Sequence, residues 1–201
     1  MNVILDYDVG NLESVMRGFE RVGIDSVISK DPQTIKNATA LVLPGVGAFN
    51  EAMRSLKASG LIPLIMRHIQ QKKPLLGICL GMQLLYSASE ENGYTEGLSI
   101  LEGTIKPLKT QLKIPHMGWN QLTLHQSGDP IVKYIKENDF VYFVHSYYVD
   151  ASFDYVVAYA DYDGRVPAIV HKENIFATQF HPEKSGDVGL NILKAYGEMI
   201  Q

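Results

Sequence analysis

The segment Leu75-Leu76-Gly77-Ile78-Cys79-Leu80-Gly81-Met82-Gln83-Leu84-Leu85 carries the fold and the chemistry together. Residues 75–78 form a continuous apolar run, the pattern of a strand covered on both faces of a parallel sheet. Behind Cys79 the apolar pattern continues over residues 80–88 and predicts a helix. The whole run from 74 to 88 is interrupted by Gln83 and falls short of the roughly 18 residues that a membrane-spanning helix requires. A lone Cys in such surroundings is ordinarily an inert core residue. Here Gly77 and Gly81 flank it at both second neighbours, which is the layout of a nucleophile elbow with Cys in place of Ser. A sharp strand-to-helix turn brings backbone close on both sides of the nucleophile, where only glycine avoids collision. The positive end of the helix then favours a thiolate, and the Leu80 amide can face a developing oxyanion.

Working outward from that elbow, the chain alternates. Strands are predicted at residues 2–7, 26–29 and 40–43, and helices at 12–22, from Asp31-Pro32 onward, at 49–56 and at 61–71. Asp31 suits a helix cap with proline at the first helical position. Strands alternating with helices imply parallel pairing. Beyond residue 98 the texture changes to short runs at 98–108, 120–125, 140–149, 155–162, 166–172 and 175–180, which predict antiparallel strands, with Asp163-Gly164 as a hairpin turn. Asp161-Tyr162-Asp163-Gly164 reads as that turn and not as a calcium loop, because Lys172 stands where the closing glutamate belongs. Residues 185–200 close the chain as an amphipathic helix. The expected fold is α/β: a doubly wound, mostly parallel sheet with helices on both faces and an antiparallel extension in the C-terminal half, one domain over residues 1–201.

Composition removes several function classes. The 201 residues carry 18 Lys and Arg against 22 Asp and Glu, a net charge of −4, so no electrostatic footprint for nucleic acid or an anionic membrane is present. With 46% hydrophobic and 20% charged residues the chain is an ordinary globular one and not a disordered one. One Cys excludes an internal disulfide, and the start Met1-Asn2-Val3-Ile4-Leu5-Asp6 lacks the basic segment of a signal peptide, so a cytoplasmic location is expected.

A Cys nucleophile requires a base. Among six histidines, His68, His125 and His171 sit in polar stretches or near strand ends, and His116 and His145 are less plain. His181 ends an apolar strand in Gln179-Phe180-His181-Pro182-Glu183-Lys184. On extended backbone, side chains two apart point the same way, so Glu183 can hold one ring nitrogen and leave the other for the thiol. Pro182 between them favours that extended shape. Cys79, His181 and Glu183 then form nucleophile, base and orienting carboxylate; whether Cys79 and His181 meet is not settled by their spacing. Pro44-Gly45-Val46-Gly47 follows the strand before the elbow strand. It is not a dinucleotide fingerprint, since Asn50 stands at the third glycine position. A loop at the carboxyl end of a strand, with free amides, suits a second oxyanion donor.

The elbow Gly77-Ile78-Cys79-Leu80-Gly81-Met82-Gln83, followed about 100 residues later by His181-Pro182-Glu183-Lys184-Ser185, resembles the triad (class I) glutamine amidotransferases. Asp8-Val9-Gly10-Asn11, the Pro44 to Gly47 loop in place of the family's usual Pro-Gly-Gly, Pro115-His116-Met117-Gly118-Trp119-Asn120 and His145-Ser146-Tyr147 are similar to the branch that serves a separate cyclase in histidine biosynthesis. The resemblance spans the whole chain and implies a mechanism. Cys79 attacks the glutamine side-chain amide, His181 protonates the departing ammonia and then activates water, and Glu183 orients the imidazole. Amides of Leu80 and of Val46 and Gly47 hold the oxyanion; Gly47, Gln83, Ser146 and Tyr147 contact L-glutamine. Asn11, His116, Met117 and Trp119 face a barrel-shaped cyclase (synthase) subunit in a heterodimer. That partner uses the ammonia on a phosphoribulosyl formimino intermediate, giving imidazole glycerol phosphate and aminoimidazole carboxamide ribotide. No metal or organic cofactor is implied. The isolated subunit is expected to be a poor glutaminase that the partner activates through the Pro44 to Gly47 loop. By residue chemistry alone Trp119 fits a core position as well as an interface anchor. The competing readings are a triad glutaminase for a vitamin B6 or anthranilate synthase, a related thiol hydrolase, and a non-catalytic flavodoxin-like module.

Overall fold

Each apolar run finds a partner that covers it. A computed structural model of the chain describes residues 1–200. In chain order it contains β1 (Asn2–Leu5), α1 (Leu12–Arg21), β2 (Ser26–Ser29), α2 (Pro32–Asn37), β3 (Ala40–Leu43), α3 (Phe49–Ala58), α4 (Ile62–Gln70), β4 (Leu75–Ile78) and α5 (Leu80–Leu84). Then follow β5 (Ala88–Ser89), β6 (Thr95–Glu96), β7 (Thr104–Pro107), β8 (His116–Gln121), β9 (Thr123–Leu124), β10 (Phe140–His145), β11 (Tyr147–Asp150), β12 (Val156–Asp161), β13 (Arg165–Lys172), β14 (Ile175–Thr178) and α6 (Gly186–Ile200).

The main sheet runs β2-β1-β3-β4-β14-β13-β12-β9. Its first five strands pair in parallel and the last three antiparallel. Alternation along the buried strands sorts side chains to two cores. Val3, Leu5, Leu41 and Leu43 pack with Phe49 and Met53 of α3 and Ile65 of α4. Ile4, Val42, Leu76 and Ile78 pack on the other face with Val15 and Phe19 of α1 and Ile192, Leu193 and Tyr196 of α6. The expected doubly wound sheet with an antiparallel extension is present, and Asp163 and Gly164 turn between β12 and β13 with φ of 57° and 145°.

Three expectations are corrected. The helix over 80–88 stops at Leu84, because the carbonyls of Leu84, Leu85, Tyr86 and Ser87 accept backbone N–H groups of residues 97–101. For the same reason the strand expected over 98–108 shrinks to β7. The run 140–149 breaks at Ser146: β10 pairs with β8 in a two-stranded sheet, whereas β11 joins β7, β5 and β6. Among the described residues no helix is long and apolar enough to cross a membrane.

One pairing positions the site. β14 lies beside β4 in parallel register, with Ala177 opposite Gly77 and Thr178 opposite Ile78. The two strands therefore end together, and the residues after them, Cys79 in one case and Gln179 to His181 in the other, emerge at the same carboxyl edge of the sheet.

Candidate active site

Cys79 sits at φ 54° and ψ −112°, a left-handed conformation that a non-glycine residue adopts only when its surroundings impose it, at roughly 1 to 3 kcal/mol. The surroundings are visible. The Cys79 N–H donates to the Thr178 carbonyl at 2.7 Å. A Cβ on Gly81 would stand 1.8 Å from the Leu43 carbonyl oxygen, and one on Gly77 would stand 3.0 Å from backbone atoms of Gly81 and Met82. Both elbow glycines are thus required by close backbone approach, as the sequence pattern implied. Leu80 opens α5, so its N–H has no intrahelical acceptor and is available at the nucleophile.

His181 Nδ1 and Glu183 Oε1 are 2.8 Å apart, with both side chains buried. The backbone reason differs from the one expected. Pro182–Lys184 is a single 3-10 turn, with His181 at its start; proline is at its first position, where its fixed φ suits a turn. Glu183 reaches back across that turn instead of standing beside His181 on a strand. Nδ1 donates to the carboxylate, which leaves Nε2 without a regular hydrogen-bond partner. Burial alone would lower the imidazole, but hydrogen bonding and charge from Cys79 and then Glu183 outweigh it and raise it to about 10. Cys79 and His181 line one cleft at the carboxyl edge shared by β4 and β14. The Gln179 side-chain amide lies 3.9 Å from the Cys79 sulfur.

A cleft of about 460 Å³ gathers most of the remaining candidates. Its walls include Val46, Gly47, Leu80, Gln83, Ser146 and Tyr147, together with Cys79 and His181. Gln83 is tied in place, its amide nitrogen donating to the Tyr147 carbonyl at 3.2 Å and to Gln179 Oε1 at 2.9 Å. In the Pro44 to Gly47 loop, Gly45 is fixed: a Cβ there would meet the Tyr7 hydroxyl at 2.9 Å and the Gly81 nitrogen at 3.0 Å. Gly47, at φ 94°, has open space beside it, so room for the loop to reorient lies at the Val46–Gly47 peptide.

Of the four candidate interface residues, Met117 is 60% exposed and Trp119 56%, which removes Trp119 from the core. Asn11 is exposed and caps α1, its side-chain oxygen accepting from the Ser14 N–H at 3.3 Å. His116 does not belong with them. It is 3% exposed, because alternation along β8 turns it to the face opposite Met117 and Trp119. The cleft is also lined by Pro115, His145 and Lys184, which the sequence motifs contain without a glutamine-binding role, and by Glu91, which no motif contains. Glu91 accepts from the Phe49 N–H at 2.8 Å and so caps α3, whose own N-cap Ala48 cannot. Gln179 had one local signal, an amide at the buried end of an apolar strand. Among the described residues no group of three or more His, Cys, Asp or Glu side chains is placed to hold a metal.

The family model for class-I glutamine amidotransferases matches residues 3–195. The chain is 51% identical over 199 residues to an imidazole glycerol phosphate synthase subunit HisH from Caldanaerobacter subterraneus, covering 98% of each chain. The HisH subunit of Lactococcus lactis is 50% identical over 199 residues, again with 98% of each covered. In fold it is similar to PurLQS from Thermotoga maritima, with a TM-score of 0.77 at 16% identity over 100% of this chain and 98% of that one. It also resembles a crystal structure of a glutamine amidotransferase, with a TM-score of 0.76 at 16% identity and coverage of 98% and 97%.

Proposed function

Because the chain belongs to the class-I glutamine amidotransferases and groups with the HisH subunits of imidazole glycerol phosphate synthase, we propose that Cys79, His181 and Glu183 are its catalytic triad. It is a glutaminase subunit that supplies ammonia to a cyclase partner in histidine biosynthesis. The observation that carries the triad is the parallel register of β14 on β4, which delivers Cys79 and His181 to one edge.

The steps follow from the geometry. The Cys79 sulfur attacks the glutamine side-chain carbonyl, and the oxygen that gains charge meets the Leu80 N–H and the N–H of the Val46–Gly47 peptide. His181 Nε2, which takes up the Cys79 thiol proton while the Nδ1–H keeps donating to Glu183, gives that proton to the departing nitrogen, and ammonia leaves. The neutral ring then takes a proton from water, which attacks the thioester and releases glutamate. The main-chain edge of Ser146 and Tyr147 and the amide of Gln83 receive the glutamine. Glu91, the carboxylate on the cleft wall outside the triad, complements its ammonium group. Side chains, water and glutamine complete the cycle. The whole 1–201 chain acts as one amidotransferase domain in the cytoplasm, and docking of the partner sets the Val46–Gly47 peptide. The Pro115 to Asn120 segment disfavours a vitamin B6 or anthranilate synthase as the enzyme served.

The deciding experiment is Cys79→Ala in the complex with the cyclase. Glutamine-dependent synthesis is lost, by on the order of a thousandfold or more, while synthesis from added ammonia persists. Retained glutamine hydrolysis would refute the assignment.

A further inference from the structure

Behind the cleft wall runs a chain of hydrogen bonds whose direction is fixed at every link. The Tyr147 carbonyl can only accept, so His145 Nδ1, 2.8 Å away, carries a proton and donates. In a neutral ring Nε2 is then an acceptor, and His116 Nδ1, 2.9 Å away, donates to it. His116 Nε2 in turn accepts from the Asn120 amide at 3.2 Å, and the same amide nitrogen donates to the Asp161 carbonyl at 3.0 Å. Both rings are buried. His116 is held flat between Phe143 and Tyr162, with ring centroids at 4.5 and 3.9 Å. Burial keeps both imidazoles neutral, lowering His116 to about 4 and His145 to about 3. A second proton on His145 would set two donors face to face across the 2.9 Å link to His116.

The chain of donors ends at the cleft. The polypeptide passes from one sheet to another at Ser146, and the His145 ring bridges that corner to the Tyr147 carbonyl. Gln83 donates to the same oxygen. Both lone pairs are then occupied, and the peptide that carries them cannot rotate without breaking two buried bonds. Gln83 extends the connection through Gln179 toward the Cys79 sulfur.

We propose that His145 is a positioning residue for glutamine: it fixes the Ser146–Tyr147 corner through the Tyr147 carbonyl, and His116 with Asn120 fixes the ring tautomer that makes this possible. The inference rests on the reading of the cleft as the glutamine site. A histidine pair that merely filled the core would show the same burial, but a ring of similar shape would then serve as well.

The test uses the full complex with the cyclase and three variants. His145→Asn places an amide where Nδ1 stands and keeps the bond to Tyr147, whereas His145→Gln places it at Nε2, which keeps the link to His116 and loses the corner. His145→Phe keeps the ring and loses both. The expected KM for glutamine stays within about threefold of wild type for Asn and rises roughly tenfold or more for Gln and Phe, with kcat changing less than KM. Ammonia-dependent synthesis and melting temperature are followed in parallel to register assembly and folding. A Phe variant with wild-type KM, or Asn and Gln variants with equal KM, would overturn the proposal; if Phe does not fold, the Asn and Gln pair decides. A wild-type complex that does not hydrolyse glutamine would instead overturn the reading of the cleft, and that result is distinct from the others.

Discussion

His181 keeps its proton in a place where burial argues against it. The Cys79 sulfur on one side and the Glu183 carboxylate on the other outweigh desolvation and raise the ring from 6.5 to about 10. A proton bound more tightly in the folded state stabilises the fold in full below the unfolded value of 6.5, and that contribution is lost as pH climbs toward about 10. The same proton is the one the leaving nitrogen receives, so the alkaline limb of kcat/KM for glutamine belongs to this ring. Replacing Glu183 with Gln removes the charge while leaving an oxygen to accept from Nδ1. The expected result is an alkaline limb displaced toward neutrality by about one unit or more, and a stability difference from wild type that narrows as pH rises through the same window. A limb that stays in place would mean that Glu183 orients the ring without holding its charge.

Among the elements, α1 bears on the triad from behind. A Cβ on Gly18 would stand 3.0 Å from the Glu183 Cβ and 3.0 Å from Leu193 Cδ1. Helix propensity favours Ala over Gly at an interior position by about 1 kcal/mol, so the absence of a side chain here answers to packing. Gly18→Ala pushes Glu183 by a few tenths of an ångström. The prediction is a fall in glutaminase kcat on the order of tenfold, with little loss of melting temperature and undiminished ammonia-dependent synthesis. Unchanged kcat would show that α1 yields and does not set the carboxylate. Elements of this kind mark what the sequence discloses. The alternation of strands and helices up to Cys79 was legible because period and caps are local signals, and Asp31 caps α2 as read. The elbow was legible because its glycines answer to steric contacts inside one short segment. The stop of α5 at Leu84 was not, since residues 97–101 take its carbonyls. The pairing of β14 with β4 was not either, for no local pattern states which strand lies beside which. The resemblance to a family supplied that neighbourhood, while Glu91 entered the site through tertiary contacts alone and Gln179 carried only the local signal of an amide at the end of an apolar strand.

For the molecule as a whole, the cleft and the exposed face of β8 are parts of one surface. Pro115 lines the cleft, and the strand that begins beside it turns Met117 and Trp119 outward. Alternation alone sends His116 inward, to the hydrogen-bonded chain that ends at Tyr147, and Trp119 outward from the same strand. Trp119 meets Tyr142 edge-on, its ring centroid 6.0 Å away and tilted by 69°. An aromatic ring exposed by more than half loses little when it is cut away from an isolated monomer, yet large aromatic side chains at the centre of an interface commonly carry about 2 kcal/mol or more of binding. The two readings of Trp119 thus predict different numbers. With Trp119→Ala, the dissociation constant for the cyclase should rise roughly thirtyfold while the melting temperature of the subunit alone moves by no more than about 2 °C. Titration calorimetry against the cyclase and a thermal melt of the same preparation measure both quantities. An unchanged dissociation constant would place the docking face elsewhere, and an equal loss of melting temperature and affinity would mean that Tyr142 and Trp119 support the fold of the sheet formed by β8 and β10.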